Sequence, residues 1–82
     1  MNTFTYTILI HPADEDETGF WVEVPALPGC FTQGETIEEC LERAHEAIIG
    51  YMESLAKRGE SIPVEQVQEV TSRVQVTFPI PA

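Results

Sequence analysis

Over residues 3–10, TFTYTILI, the apolar side chains of Phe4, Tyr6, Ile8 and Ile10 alternate with Thr3, Thr5, Thr7 and Leu9. A period of two is that of a β-strand, here with one apolar face and one mostly threonine face. The polar run HPADEDETG reads as a hairpin connection. Alternation returns in TGFWVEV, residues 18–24, with Phe20, Val22 and Val24 opposite Trp21 and Glu23. This second strand stops at Pro25, because proline has no amide hydrogen to give to a ladder. Pro28 and Gly29 have the chemistry of a type II turn, proline fixing φ and glycine accepting a positive one. A short third strand, roughly residues 30–33, then returns antiparallel.

The period changes from two to 3.6 after Gly34. Ile37, Cys40, Leu41, Ala44, Ala47, Ile48, Tyr51, Met52 and Leu55 form one apolar stripe, and Glu38, Glu42, Glu46 and Glu53 lie away from it. This is an amphipathic helix. Thr36 followed by Glu39 is a capping-box pattern at its start. Lys57 and Arg58 complement its C-terminal dipole, and Gly59 suits the left-handed residue that closes it. After a loop through Pro63, RVQVTF alternates Val74, Val76 and Phe78 with Arg73, Gln75 and Thr77 and predicts a last strand, ended by the prolines of PIPA.

The predicted order is therefore β-β-β-α-β, an α+β fold in a single domain over residues 1–82. A right-handed crossover through the helix brings the last strand beside the first and parallel to it, in a mixed sheet of order 3-2-1-4. One helix covers one sheet face. The other face, with Thr5, Thr7, Leu9, Trp21 and Phe31, is left to solvent, a second copy or a partner.

Composition narrows the function. Fourteen acidic residues against four basic ones give a formal net charge of −10. Arg43, Lys57, Arg58 and Arg73 do not make the basic patch that a phosphate backbone requires, so direct nucleic-acid binding is not expected. A basic protein partner, steered in by opposite charge, suits this surface. The mean hydropathy of −0.08 and an N-terminus without a basic segment or long apolar run predict no membrane span or signal peptide, and a cytoplasmic location.

Candidate chemistry is sparse. The series Asp14, Glu15, Asp16, Glu17 lacks the ligand spacing of a calcium loop, and Cys30 and Cys40 lack the CxxC spacing of a zinc site, so no cofactor or metal is expected. Cys30, on a tight turn before a helix, could act as a nucleophile if His11 or His45 served as its base, which makes a Cys-dependent hydrolase one alternative. Both cysteines are more simply small buried apolar residues.

The stretch GFWVEVPALPGCFTQGETIEECLERAHEAIIGYM resembles the signature region of the HicB-like antitoxins. A strand, a Pro-x-x-Pro-Gly-Cys turn, a Gly-Glu-Thr helix start and an acidic helix with Glu-Ala-Ile follow in the family's order. The resemblance implies a partial RNase H-like fold and a type II toxin–antitoxin system, in which the antitoxin masks a small basic mRNA interferase of the HicA type. Longer members carry a C-terminal DNA-binding domain. Nothing follows Ala82 here, so a short member without operator binding is expected. The catalytic carboxylates of an RNase H-like site have no counterpart in TFTYTILI or RVQVTF, and the chain is not expected to be an enzyme.

For the toxin contact, the pattern favours Asp14 and Asp16 of the hairpin and Glu38, Glu42 and Glu46 of the helix as steering charges, with Trp21 as an apolar anchor. Self-association, as a homodimer, follows from the uncovered sheet face and the open strand edges. The alternative to an antitoxin is a stand-alone oligomeric structural or assembly protein with no toxin partner.

Overall fold

The computed structural model describes residues 2–66 and 71–81. Three strands, β1 (Leu9–Pro12), β2 (Phe20–Glu23) and β3 (Phe31–Gly34), precede one helix, α1 (Ile37–Lys57). They form an antiparallel sheet of order β1-β2-β3, with Leu9 opposite Glu23 and His11 opposite Trp21, then Trp21 opposite Gln33 and Glu23 opposite Phe31.

The turns explain the meander. In the first connection Glu17 N donates to Asp14 O at 2.8 Å and Ala13 N to Gly19 O at 3.0 Å. In VPALPGC two turns follow one another: Leu27 N donates to Val24 O at 3.0 Å and Cys30 N to Leu27 O at 3.0 Å, and Val24 N closes the pair on Cys30 O at 3.1 Å. Gly29, at φ 82°, holds the position where a type II turn needs the left-handed region. Tyr51 Oη of the helix donates to Pro28 O at 2.8 Å and pins this double turn from below.

The helix forms between two caps. Thr36 Oγ1 accepts from Glu39 N at 3.0 Å, while Glu39 Oε1 reaches back to Glu35 N, one residue before the cap, at 3.4 Å. At the other end Gly59, at φ 71°, donates to Ala56 O and Glu60 N donates to Leu55 O, the paired bonds of a Schellman motif. The apolar stripe packs mainly on β3 and β2. Val22, Cys40 and Ala44 are buried with Ile8, Ile10 and Phe20 against them, and Val24, Leu27 and Cys30 make a second cluster with Tyr6, Ile8, Ala47, Ile48 and Tyr51.

Two expectations need correction. The first strand is shorter than its alternation: residues 3–8 have no ladder partner, because β2 ends at Glu23 and the chain turns at Pro25. The strand expected over 73–78 does not join the sheet, so the sheet is three-stranded and wholly antiparallel rather than mixed and of order 3-2-1-4. What reaches the side of residues 6 and 7 is the loop after the helix. Tyr6 Oη donates to Pro63 O, and Glu65 takes the Thr7 amide at 2.7 Å and the Thr7 hydroxyl at 2.6 Å. A side-chain carboxylate thus holds a group that a neighbouring strand would otherwise bond. Residues 71–81 lie exposed beyond it. The radius of gyration is 17.0 Å, against about 12 Å for a compact chain of this length.

Candidate partner-binding surface

Pairing in register sends Leu9, His11, Trp21, Glu23, Phe31 and Gln33 to the sheet face opposite the helix. The His11 ring stacks on Trp21 with centroids 4.1 Å apart and planes 17° from parallel, and Trp21 leans on Phe31 at 6.4 Å and 45°. His11 Nε2 is 2.9 Å from Glu23 Oε1. This imidazole–carboxylate contact holds the ring over the indole. Trp21 nevertheless remains 42% exposed and Phe31 60%. An aromatic row of this kind, backed by hydrogen bonds and open to water, can receive an apolar group from another molecule.

Beside this row an open groove of about 610 Å³ runs between the hairpin and the start of the helix. Asp14, Asp16 and Glu17 line it from the hairpin, Glu35 and Glu39 from the helix entry, and Trp21 from the sheet. Thr18 Oγ1 donates to Glu35 Oε2 at 3.0 Å, tying hairpin to helix start. Gly19 at φ 87° permits the approach, since a Cβ there would stand 2.8 Å from Gly34 O. Arg43, whose guanidinium is 3.8 Å from Glu39 Oε1, is the one basic side chain on the groove among the described residues. The arrangement is a concentration of negative charge next to an exposed aromatic side chain.

Of the residues singled out in the sequence, Asp14, Asp16 and Trp21 come together here. Glu38, Glu42 and Glu46 are exposed on the helix and do not line the groove. Glu17, Glu35 and Glu39 also line the groove, and the sequence pattern does not single them out. Glu39 carries a capping signal, which points to a structural role, and only the tertiary approach of hairpin to helix turns it toward the groove. Phe31 was legible from alternation, but the stacking of His11 on Trp21 depends on the strand register.

The parts of a Cys–His site are dispersed. Cys30 is in the core cluster and burial pushes its thiol up, the opposite of an activated nucleophile. His11 is engaged with Glu23 on the outer sheet face, and His45 is exposed on the helix. Among the described residues no three His, Cys, Asp or Glu side chains are grouped to hold a metal ion, and no helix is long and apolar enough to cross a membrane.

Residues 6–79 match the HicB-like antitoxin of bacterial toxin–antitoxin systems. The chain belongs to the HicB-like antitoxin family. A UPF0150 protein of Thermoplasma acidophilum is 51% identical to this HicB-like chain over 67 residues, which cover 80% of the chain and 93% of that relative. Antitoxin HicB 1 of Photorhabdus laumondii is 37% identical over 59 residues, 72% of this chain but 37% of that antitoxin's length. The crystal structure of the N-terminal domain of the Burkholderia pseudomallei antitoxin HicB superposes with a TM-score of 0.58 at 33% identity, covering 82% of this chain and 69% of that one. The family is one of antitoxins rather than enzymes, and membership implies a toxin partner.

Proposed function

We propose that this HicB-like chain is an antitoxin that neutralises a small basic mRNA interferase of the HicA type by covering its active and RNA-binding surface. The observation that carries this reading is the groove in which Asp14, Asp16, Glu17, Glu35 and Glu39 converge beside Trp21. A protein that cleaves RNA needs cationic side chains for the phosphates, and a cluster of carboxylates competes for the same side chains. Trp21 supplies the apolar contact that charge alone does not, and Glu38, Glu42 and Glu46 extend the negative field along the helix. A net charge of −10 opposes approach to nucleic acid, so the chain acts on the toxin and not on RNA or DNA. The whole chain works as one unit in the cytoplasm, where mRNA is cut, and self-associates as a dimer through its open sheet edges. Its sheet is the three-stranded part of an RNase H-like order whose fourth position is open.

The test is co-expression with the basic protein that copurifies with the chain at low salt. Growth should be restored when the antitoxin is present. Toxicity that persists despite soluble antitoxin, or the lack of any basic protein in the purified material, removes this reading and favours a stand-alone oligomer.

A further inference from the structure

Residues 73–80 carry the alternation of a strand but join no sheet. Val74, Val76, Phe78 and Ile80 alternate with Arg73, Gln75, Thr77 and Pro79, and the four apolar side chains are 74–86% exposed. Alternating apolar residues of this length are built to lie on a core, and a row of them left in water is unfavourable. The body of the molecule has the complementary defect. Residues 3–8 alternate as a strand but have no ladder partner, and β1 is an edge strand along its whole outer side. The open edge runs over residues 3–12 and the unpaired segment over residues 73–80, roughly 33 Å and roughly 26 Å when extended, so the edge is long enough to hold the segment.

We infer that residues 73–78 of one copy form the fourth strand at the β1 edge of a second copy, and that the exchange is reciprocal. It deepens the self-association proposed above and rests on it. The β1 edge is favoured over β3 because β3 passes directly into the helix cap, with Gly34 already packed on Cys40, whereas β1 continues back into the extended pattern of residues 3–8. The apolar surface is also continuous on the β1 side. Tyr6, Ile8 and Ile48 share a core cluster, and Leu41, one heptad before Ile48 on the same side of α1, remains 53% exposed. An added strand bearing Val74, Val76 and Phe78 extends that core. The second copy, rather than the chain's own body, is the donor because Pro63 and Glu65 fasten the loop beside Tyr6 and Thr7, and beyond them residues 71–81 lie away from the body. Two such edges brought face to face by a two-fold axis give each arm the other's edge, the isologous arrangement of a closed dimer.

Sedimentation velocity and far-ultraviolet circular dichroism of the full chain test this at micromolar concentration. The expected species is a dimer, at twice 9.2 kDa. Gln75→Pro with Val76→Pro removes two adjacent amide hydrogens, one of which must face β1 when the segment is an edge strand, and Phe78→Asp places a charge where the apolar row would be buried. Both should convert the dimer to monomer, or weaken its dissociation constant at least tenfold, with the helical signal unchanged. A full chain that sediments as a monomer overturns both self-association and exchange. A dimer that survives in both variants overturns the exchange alone, leaving the outer sheet face as the contact. Unfolding by both variants also overturns it, since an arm outside the body should not hold the body together.

Discussion

A methyl group placed on Gly34 would sit 2.9 Å from the Cys40 amide nitrogen and 3.1 Å from Cys40 Sγ. The end of β3 and the first turn of α1 therefore meet backbone to backbone, and only glycine fills the gap. Gly34→Ala should destabilise the fold by about 1–3 kcal/mol, the usual range for overpacking a rigid contact, and lower the urea midpoint accordingly. An unchanged midpoint would show that the helix start can shift to make room. The burial of Cys40 was legible from its place in the 3.6-residue stripe. Its contact with Gly34 was not, because a close approach belongs to the docking of two elements and leaves no period in either. Cys30 illustrates the converse. A proline-glycine turn is compatible with a reactive thiol or a buried one, and the packing of Cys30 against Val24 and Leu27 places it in the core, where burial raises its pKa.

Among the elements, α1 was the most legible, since the stripe, the Thr36 cap and the Gly59 stop all agree and the helix runs Ile37–Lys57 between them. The strands were half legible. Alternation identified β2 and the Pro28-Gly29 turn implied β3, but alternation marks the capacity to pair and not the presence of a neighbour, so it overran in residues 3–8 and named a strand at 73–78 that the sheet does not include. Nothing in the pattern announced the link from Tyr6 and Thr7 to Pro63 and Glu65, which are separated by 57 and 58 residues. This link has a pH window. The hydrogen bonds from Thr7 lower the Glu65 pKa, so the stabilisation is present above the ordinary carboxylate pKa and is lost as pH falls through the lowered value. Burial and then the nearby Glu65 charge raise the Tyr6 pKa, so its contribution is present below the ordinary phenol value and is lost as pH rises through the raised one. Backbone amide exchange at Thr7 should accelerate at acid pH beyond its intrinsic pH dependence. Glu65→Gln should keep part of the contact while removing this acid transition. A transition of the same size in the variant would assign it to another group.

At the scale of the whole molecule, the charges are unevenly placed. The groove gathers carboxylates from the hairpin and from the helix start, while Glu42 and Glu46 stand apart on the helix. If the groove faces the toxin, Asp14→Asn with Asp16→Asn should slow association by about two- to tenfold at low ionic strength, with the difference shrinking as salt screens the field. A rate that does not change at any salt concentration would make these carboxylates bystanders. Stopped-flow mixing with the copurified toxin measures this. About half of the groove's acidic and aromatic lining was legible, since Asp14, Asp16 and Trp21 could be picked from the hairpin and the strand pattern. Glu35 and Glu39 required the fold, because Thr18 and Gly19 bring the hairpin against the helix start. The order β1-β2-β3 followed by α1 also governs how the molecule assembles in time. Each strand pairs with its neighbour in the chain, so the sheet and the helix on it close through short loops whose entropy cost is small. The contact of Tyr6 with Pro63 spans nearly the whole body and can form only after both ends have been positioned. The tail is thus the last segment to find its place, at a stage when the rest of the chain is already folded and can meet another copy as a finished surface.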